Sequence, residues 1–299
     1  MKKKVTIITS LYHCEQFLEK FFFYVERIEN KEDIVFLLLH NVPTNDELTI
    51  INQHIEGKEY YKHVIIEILE PLYSTWNRGI DLADTPYVGI WNVDDIRLQD
   101  SIILQQEALD NDPSAGISFG DIWGTKSQEE IPAVLYQHPR FNDAPKEYNS
   151  RFMIGCFPMW RKKINNEVVY FEEQFRLVSD FDFQIRMAQI SFIQKVEKPS
   201  GYYLDDASHK LSSNSDLQAL EQTALHLRYA NYHLVNLVYI VPAICRYKIY
   251  KIKNRDQWVP VSSFFRFHRI YSLKRLPLFM IALLKFPKDL ARYIWHKIR

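Results

Sequence analysis

Residues Tyr87-Val88-Gly89-Ile90-Trp91-Asn92-Val93-Asp94-Asp95 carry the decision about the fold. They open as a continuous apolar run of strand length and close on two adjacent carboxylates. A strand apolar on both faces belongs in a sheet covered on both sides, as parallel sheets are. Open α/β sheets bind ligands beyond the carboxyl ends of their strands, which is where this acidic pair falls. Adjacent carboxylates repel unless they are solvated, hydrogen-bonded or bridged by a cation. Successive strand side chains point to opposite faces, so both reach one ligand only if the chain turns here. Hard oxygen donors suit Mg²⁺ or Mn²⁺, which bridge to phosphates. A loop turn carrying charge toward the next helix is the other reading of the pair.

The surrounding pattern agrees with a parallel sheet. Upstream, Val5–Leu11 is β-rich, and residues 15–28 set Phe17, Leu18, Phe21, Phe22, Val25 and Ile28 at helical spacing. Residues 34–39 form a second apolar strand, the polar segment 45–56 follows, 64–69 is a third run, and 74–83 predicts a helix. Downstream, 99–109 reads as a helix and 115–119 as a strand. This βαβα order predicts an α/β fold with crossover helices. Between 120 and 150 the prolines Pro132, Pro139 and Pro145 break any period, which predicts a long irregular excursion. A helix capped by Ser179 and a strand at 192–196 are expected next, and from Asp216 the pattern is helical and increasingly basic. The chain is therefore divided into residues 1–215 and a helical region, 216–299.

A second acidic segment is Ser179-Asp180-Phe181-Asp182-Phe183-Gln184-Ile185-Arg186. Asp180 and Asp182 lie in the first turn of an amphipathic helix, where the dipole alone favours carboxylates. Facing a cleft, such a carboxylate also suits a general base toward an alcohol.

The ordered set of motifs resembles the family 2 glycosyltransferases of the GT-A fold. It comprises the opening strand, Asn77-Arg78-Gly79-Ile80, Asp94-Asp95, and Asp180-Phe181-Asp182 with Arg186 four residues on. Phe157-Pro158-Met159-Trp160-Arg161-Lys162 also resembles the stretch preceding that family's acceptor-side motif, and the likeness covers about residues 4–215. The resemblance implies a GT-A domain using a nucleoside-diphosphate sugar donor and Mn²⁺ or Mg²⁺, and transferring sugar with inversion to a glycan or lipid-linked acceptor. It implies that Asp94 and Asp95 hold metal and donor, that Asn77 and Arg78 lie near the nucleotide, and that Asp180 is the catalytic base. Asp182 and Arg186 are then supportive. His209 matches a histidine that approaches the metal or diphosphate in some members; a solvent-facing loop histidine is the other reading. The chain departs from the family pattern at Asn92 and Ser179, where acids are usual, and at His40-Asn41-Val42-Pro43, where Asp-Asp-Gly-Ser is usual. A non-catalytic nucleotide- or glycan-binding protein of the same fold is the competing class.

Composition narrows the remaining choices. With 47% hydrophobic and 25% charged residues among 299, the chain is of the globular class. Its three cysteines are scattered, which fits neither a metal site nor a disulfide scaffold and favours a reducing compartment. No Gly-x-Ser-x-Gly elbow, phosphate loop or His-x-x-x-His spacing is present, which sets aside serine hydrolases, P-loop kinases and zinc peptidases. The apolar run after Lys2–Lys4 is too short for a signal peptide, and residues 234–245 and 276–284 fall short of the ~20 needed to cross a bilayer.

The 37 basic and 37 acidic residues cancel only as a sum. Residues 246–299 hold 14 Lys/Arg and 2 Asp/Glu, a net of +12, which leaves −12 for the rest. Within this tail Leu278, Ile281, Leu290, Tyr293, Ile294 and Trp295 are interleaved with Lys274, Arg275, Lys285, Lys288, Arg292, Lys297 and Arg299. Apolar and aromatic residues mixed with cations on helices match a segment lying in a membrane interface; packing of the apolar face on the catalytic domain is the alternative. The expected location is cytoplasmic, peripheral to the cytoplasmic face of the membrane, bound to anionic lipid rather than nucleic acid.

Overall fold

The computed structural model describes residues 3–127, 134–145, 147–165, 170–205, 214–229 and 237–263, with Pro287 and Trp295. The first half alternates strand and helix, with the polar segment 45–56 forming a helix and the third strand ending at Ile66 rather than at 69: β1 (Val5–Leu11), α1 (Glu15–Val25), β2 (Ile34–Asn41), α2 (Asn45–Ile55), β3 (Tyr61–Ile66), α3 (Leu72–Leu82) and β4 (Tyr87–Ile90). There follow β5 (Ile96–Arg97), α4 (Ser101–Asn111), β6 (Ala115–Thr125), β7 (Val134–Tyr136) and β8 (Met159–Arg161). Then come α5 (Ser179–Ile190), β9 (Phe192–Leu204), α6 (Ser215–Tyr229), α7 (Leu237–Arg246), β10 (Lys251–Asn254) and β11 (Gln257–Pro260).

One sheet runs in the order β3-β2-β1-β4-β8-β6-β9-β5, with β7 on β6. Strands β3, β2, β1 and β4 are mutually parallel, and β6 and β9 are parallel to each other. Strand β8 lies antiparallel between β4 and β6, so β4, β6 and β9 all point the same way. Alternation along β1 separates two cores. Val5 and Ile7 pack with Phe21, Phe22 and Phe36 on one face, and Ile8 packs with Trp76, Ile80, Trp160 and Phe183 on the other. Helix α2 begins with a capping box, in which Thr44 accepts from Glu47 N while the Glu47 side chain accepts from Thr44 N.

Four local expectations change. Strand β6 continues to Thr125, into the segment read as irregular, and β7 returns along it with Ile122 opposite Tyr136. Strand β9 runs on through Glu197, Lys198 and Pro199 to Leu204, because register shifts along β6 let the polar stretch pass before pairing resumes at Ile122↔Gly201. Val178, not Ser179, is the N-cap of α5, and the Ser179 hydroxyl is buried without a hydrogen-bond partner among the described residues. Beyond α7 the chain forms a β10–β11 hairpin rather than continuing as helix.

A third cluster joins this C-terminal part to the sheet-bearing part. Phe175, Val178, Phe181 and Ile185 pack against Leu220, Ala224, Ala243, Ile252 and Val261. No helix among the described residues is long and apolar enough to cross a membrane.

Candidate active site

The chain turns immediately after β4, as the acidic pair requires. Trp91 Nε1 donates to Asp95 O at 2.9 Å, and Asp95 N donates to Asn92 O at 3.1 Å. The two carboxylates then divide. Asp95 is 2% exposed; its Oδ1 accepts from Leu204 N at 3.0 Å and its Oδ2 from Asn92 Nδ2 at 3.2 Å. This carboxylate ties the turn to the end of β9. Asp94 is only half-buried. Cys156 stands beside both, and burial together with the charges of Asp95 and Asp94 pushes its thiol well above the usual range. The thiol is held as a proton donor to Asp95.

Magnesium and manganese take one or two protein carboxylates when substrate phosphates complete the shell. The Asp94–Asp95 turn fits that donor chemistry, with Asp94 the more accessible. No set of three or more His, Cys, Asp or Glu ligands occurs among the described residues. His209 lies outside the described residues. Asp205, the last described residue before it, follows the Leu204 amide that binds Asp95.

Asp180 opens α5. A helix that leads into β9, parallel to β4, starts at the carboxyl edge of the sheet, the edge that carries Asp94 and Asp95. Its Oδ1 accepts from Phe181 N at 2.8 Å and from the Tyr73 hydroxyl at 3.3 Å. Burial pushes this half-buried carboxyl up to about 6, although the Phe181 amide and Tyr73 favour its charged form. A carboxylate poised there accepts a proton near neutral pH.

Asp182 has a different task. It is fully buried and accepts from Arg186 Nε at 2.8 Å, Arg228 Nη1 at 2.9 Å and the Tyr229 hydroxyl at 2.6 Å. Arg228 Nη1 also reaches Glu172 Oε2 at 3.0 Å. Burial alone would raise Asp182, but Arg186 and Arg228 bring it below its ordinary value. Glu172 is raised, chiefly by burial. The cluster fastens α6 against α5 directly behind Asp180.

Asn77 and Arg78, expected near the nucleotide, have their side chains engaged within the protein. Asn77 is fully buried, donating from Nδ2 to Phe171 O at 2.9 Å and Glu173 Oε1 at 2.8 Å while Oδ1 accepts from Phe171 N at 2.8 Å. With both ends of its amide spent, it locks the 171–173 segment onto α3. Arg78 is paired with Glu70 on the outer side of α3.

Sequence reading passed over Tyr73, Cys156, Arg228 and Glu47. Fully buried Glu47 accepts from Cys14 N at 2.8 Å and Thr44 N at 2.9 Å, with His40 Nε2 at 3.2 Å. Burial would raise its carboxyl, but these bonds hold it down at about 2. It thereby pins the loops after β1 and β2, where His13 and Val42 adopt φ of 48° and 43°. For β-branched Val42 this is a strained backbone, of the kind that gathers at functional sites. The capping-box spacing from Thr44 to Glu47 was its one visible signal. A cavity of about 760 Å³ lined by Lys3, Lys4, Asp84, Lys162 and Lys163 lies at the amino ends of β1 and β4, away from the carboxylates.

No protein-family model and no curated protein matches the chain by sequence. Solved structures do match in fold. S. aureus TarS 1-349 superposes with a TM-score of 0.60 at 14% identity, covering 96% of this chain and 80% of that one. The same TarS fragment in complex with UDP-GlcNAc gives 0.61 at 14% identity, covering 96% and 81%. Mannosyltransferase PcManGT from Pyrobaculum calidifontis, in complex with GDP-Man and Mn²⁺, gives 0.57 at 12% identity, covering 97% and 88%. The chain has the GT-A-type fold of these glycosyltransferases.

Proposed function

We propose that the chain is a nucleotide-sugar-dependent glycosyltransferase that inverts the anomeric centre. The observation that carries this reading is Asp180, a half-buried carboxyl raised to about 6 at the sheet edge that bears Asp94 and Asp95. The solved complexes of similar fold with UDP-GlcNAc and with GDP-Man and Mn²⁺ support the donor class and a divalent cation.

In the proposed mechanism Asp180 takes the proton of an acceptor hydroxyl as that oxygen attacks the anomeric carbon from the face opposite the diphosphate. The bond from that carbon to the diphosphate oxygen breaks, and the nucleoside diphosphate departs with the electron pair. Asp94, with Asp95 behind it, would hold a Mg²⁺ or Mn²⁺. The chemistry supplied by that ion, when bound, is neutralisation of charge on the leaving group. Tyr73 and the Phe181 amide orient Asp180 by engaging Oδ1.

Residues 1–215 are proposed to carry catalysis, and 216–299 to hold the enzyme at the cytoplasmic face of an anionic membrane. A glycan or lipid-linked acceptor there fits cell-surface polysaccharide or glycoconjugate synthesis. The competing reading, a non-catalytic binding protein of the same fold, is favoured by Ser179 and Asn92 at positions where the family has acids. The variant Asp180→Asn separates the two readings. Transfer should fall by about 10²–10⁴-fold while titration calorimetry shows unchanged nucleotide binding. Undiminished turnover removes Asp180 from the mechanism.

A further inference from the structure

Helix α7 is apolar on the face it buries and also on the face it exposes. Ala243 and Tyr247, four residues apart, pack into the cluster with Leu220, Ala224 and Ile185, and the Tyr239 hydroxyl reaches Asp216 Oδ1 at 2.6 Å. These contacts fix the helix on α6. Its other side carries Val238, Val241, Pro242 and Cys245 at spacings of three and four residues, all exposed. Val238 is 72% exposed, Val241 68% and the adjoining Ile244 54%. A helix packed on one side ordinarily turns charged or polar residues outward. Scattered exposed apolar side chains need no explanation, but a contiguous stripe marks an interaction surface.

The chain that follows adds aromatic residues and cations. Tyr250 is 69% exposed, and Trp258 on the hairpin is 37% exposed with Lys248 Nζ 3.9 Å from its ring centre. The bond from Val261 N to Tyr250 O at 3.0 Å closes the base of the hairpin, and Ile252 and Val261 pack in one cluster with Ala243 and Tyr247. Between 246 and 263 there are five cations, Arg246, Lys248, Lys251, Lys253 and Arg255, and a single acid, Asp256.

We infer that the exposed face of α7, with Tyr250 and Trp258, is a docking surface for an anionic lipid bilayer. The inference rests on the membrane reading above and gives it a site within the folded part of the chain. Charge selects the occupant. Arg255 is paired with Asp81, but a second copy of this face would still set Lys248, at the Trp258 ring, and exposed Lys251 against their own counterparts, and like charges brought together oppose association. A bilayer with acidic headgroups offers both needs: an apolar boundary for the stripe and phosphates for the lysines. Tyrosine and tryptophan are the side chains favoured at that boundary. In sequence, the strongly basic segment 264–299 follows.

The full chain is tested by sedimentation with phosphatidylcholine vesicles, with and without about 30% phosphatidylserine. The variants are Val238→Asp with Val241→Asp, and Lys248→Glu with Lys251→Glu. These side chains are exposed, and unchanged nucleotide binding by calorimetry checks that each variant is folded. Wild type should prefer the acidic vesicles, and each pair of changes should weaken binding by at least about tenfold. If wild type binds neither vesicle, both the inference and the membrane reading fail. If wild type binds acidic vesicles and both variants bind equally well, the inference alone fails and the tail carries the contact. A wild-type dimer that the valine variant converts to monomer, with vesicle binding unchanged, assigns the face to a second copy and also overturns it.

Discussion

The Tyr73 hydroxyl donates to Asp180 Oδ1 at 3.3 Å across 107 residues of sequence. The contact joins the first turn of α3 to the first turn of α5 at the carboxyl edge of the sheet. It fixes one oxygen of Asp180, and in the proposed mechanism it makes the protonation state of Asp180 the variable to measure.

Asp180 must be charged to accept a proton, and burial raises its carboxyl to about 6. Activity should therefore fall as pH drops through about 6, while an ordinary aspartate would hold activity down to about 4. The acid limb of kcat/KM against pH reads this directly. A limb near 4 removes the proposed environment.

Tyr73→Phe deletes a hydrogen bond that favours the charged form of Asp180. The acid limb should move to higher pH, with the plateau rate above it little changed. A change in the plateau without movement of the limb assigns Tyr73 to packing alone.

The two turn carboxylates should separate under substitution. Asp94→Asn should weaken metal-dependent nucleotide binding and leave the melting temperature unchanged. Asp95→Asn should weaken that binding and also cost about 1–3 kcal/mol of stability, because it disturbs the bonds to Leu204 N and Asn92. Calorimetry and thermal melting together distinguish them; equal stability losses contradict the division.

Arg228→Met leaves Glu172 and Asp182 buried without their shared cation. Breaking a buried ion pair from one side costs about 3–5 kcal/mol. Two buried carboxylates without that cation bind protons more tightly than in the unfolded chain, so the loss should shrink as pH falls. Urea denaturation at pH 7 and pH 5 measures both. A loss independent of pH points to packing.

Where the chain buries strands on both faces, the sequence announces them: Val5–Leu11, Ile34–Asn41 and Tyr87–Ile90 are β-rich, mostly apolar runs of strand length. The end of β9 is not announced, since Glu197, Lys198 and Pro199 are tolerated where register shifts open the ladder. Motif order located the Asp94–Asp95 turn and the start of α5. It did not reveal that Asn77 faces inward, because an asparagine spent on backbone looks in sequence like one offered to a ligand. Arg228 and Tyr229 were invisible for a related reason. Their partner Asp182 is 46 and 47 residues away, and only tertiary packing brings them together.

The proposed role of Asp180 and the Asp94–Asp95 turn is transfer from a nucleotide-sugar. Its most direct test incubates the full chain with a panel of UDP- and GDP-sugars in Mn²⁺ and reads released nucleoside diphosphate, with a chelator and with Asp180→Asn as parallel arms. Release from at least one donor is expected, abolished by the chelator and lowered by about 10²–10⁴-fold in the variant. Release from none of the donors, or release that survives Asp180→Asn undiminished, contradicts it.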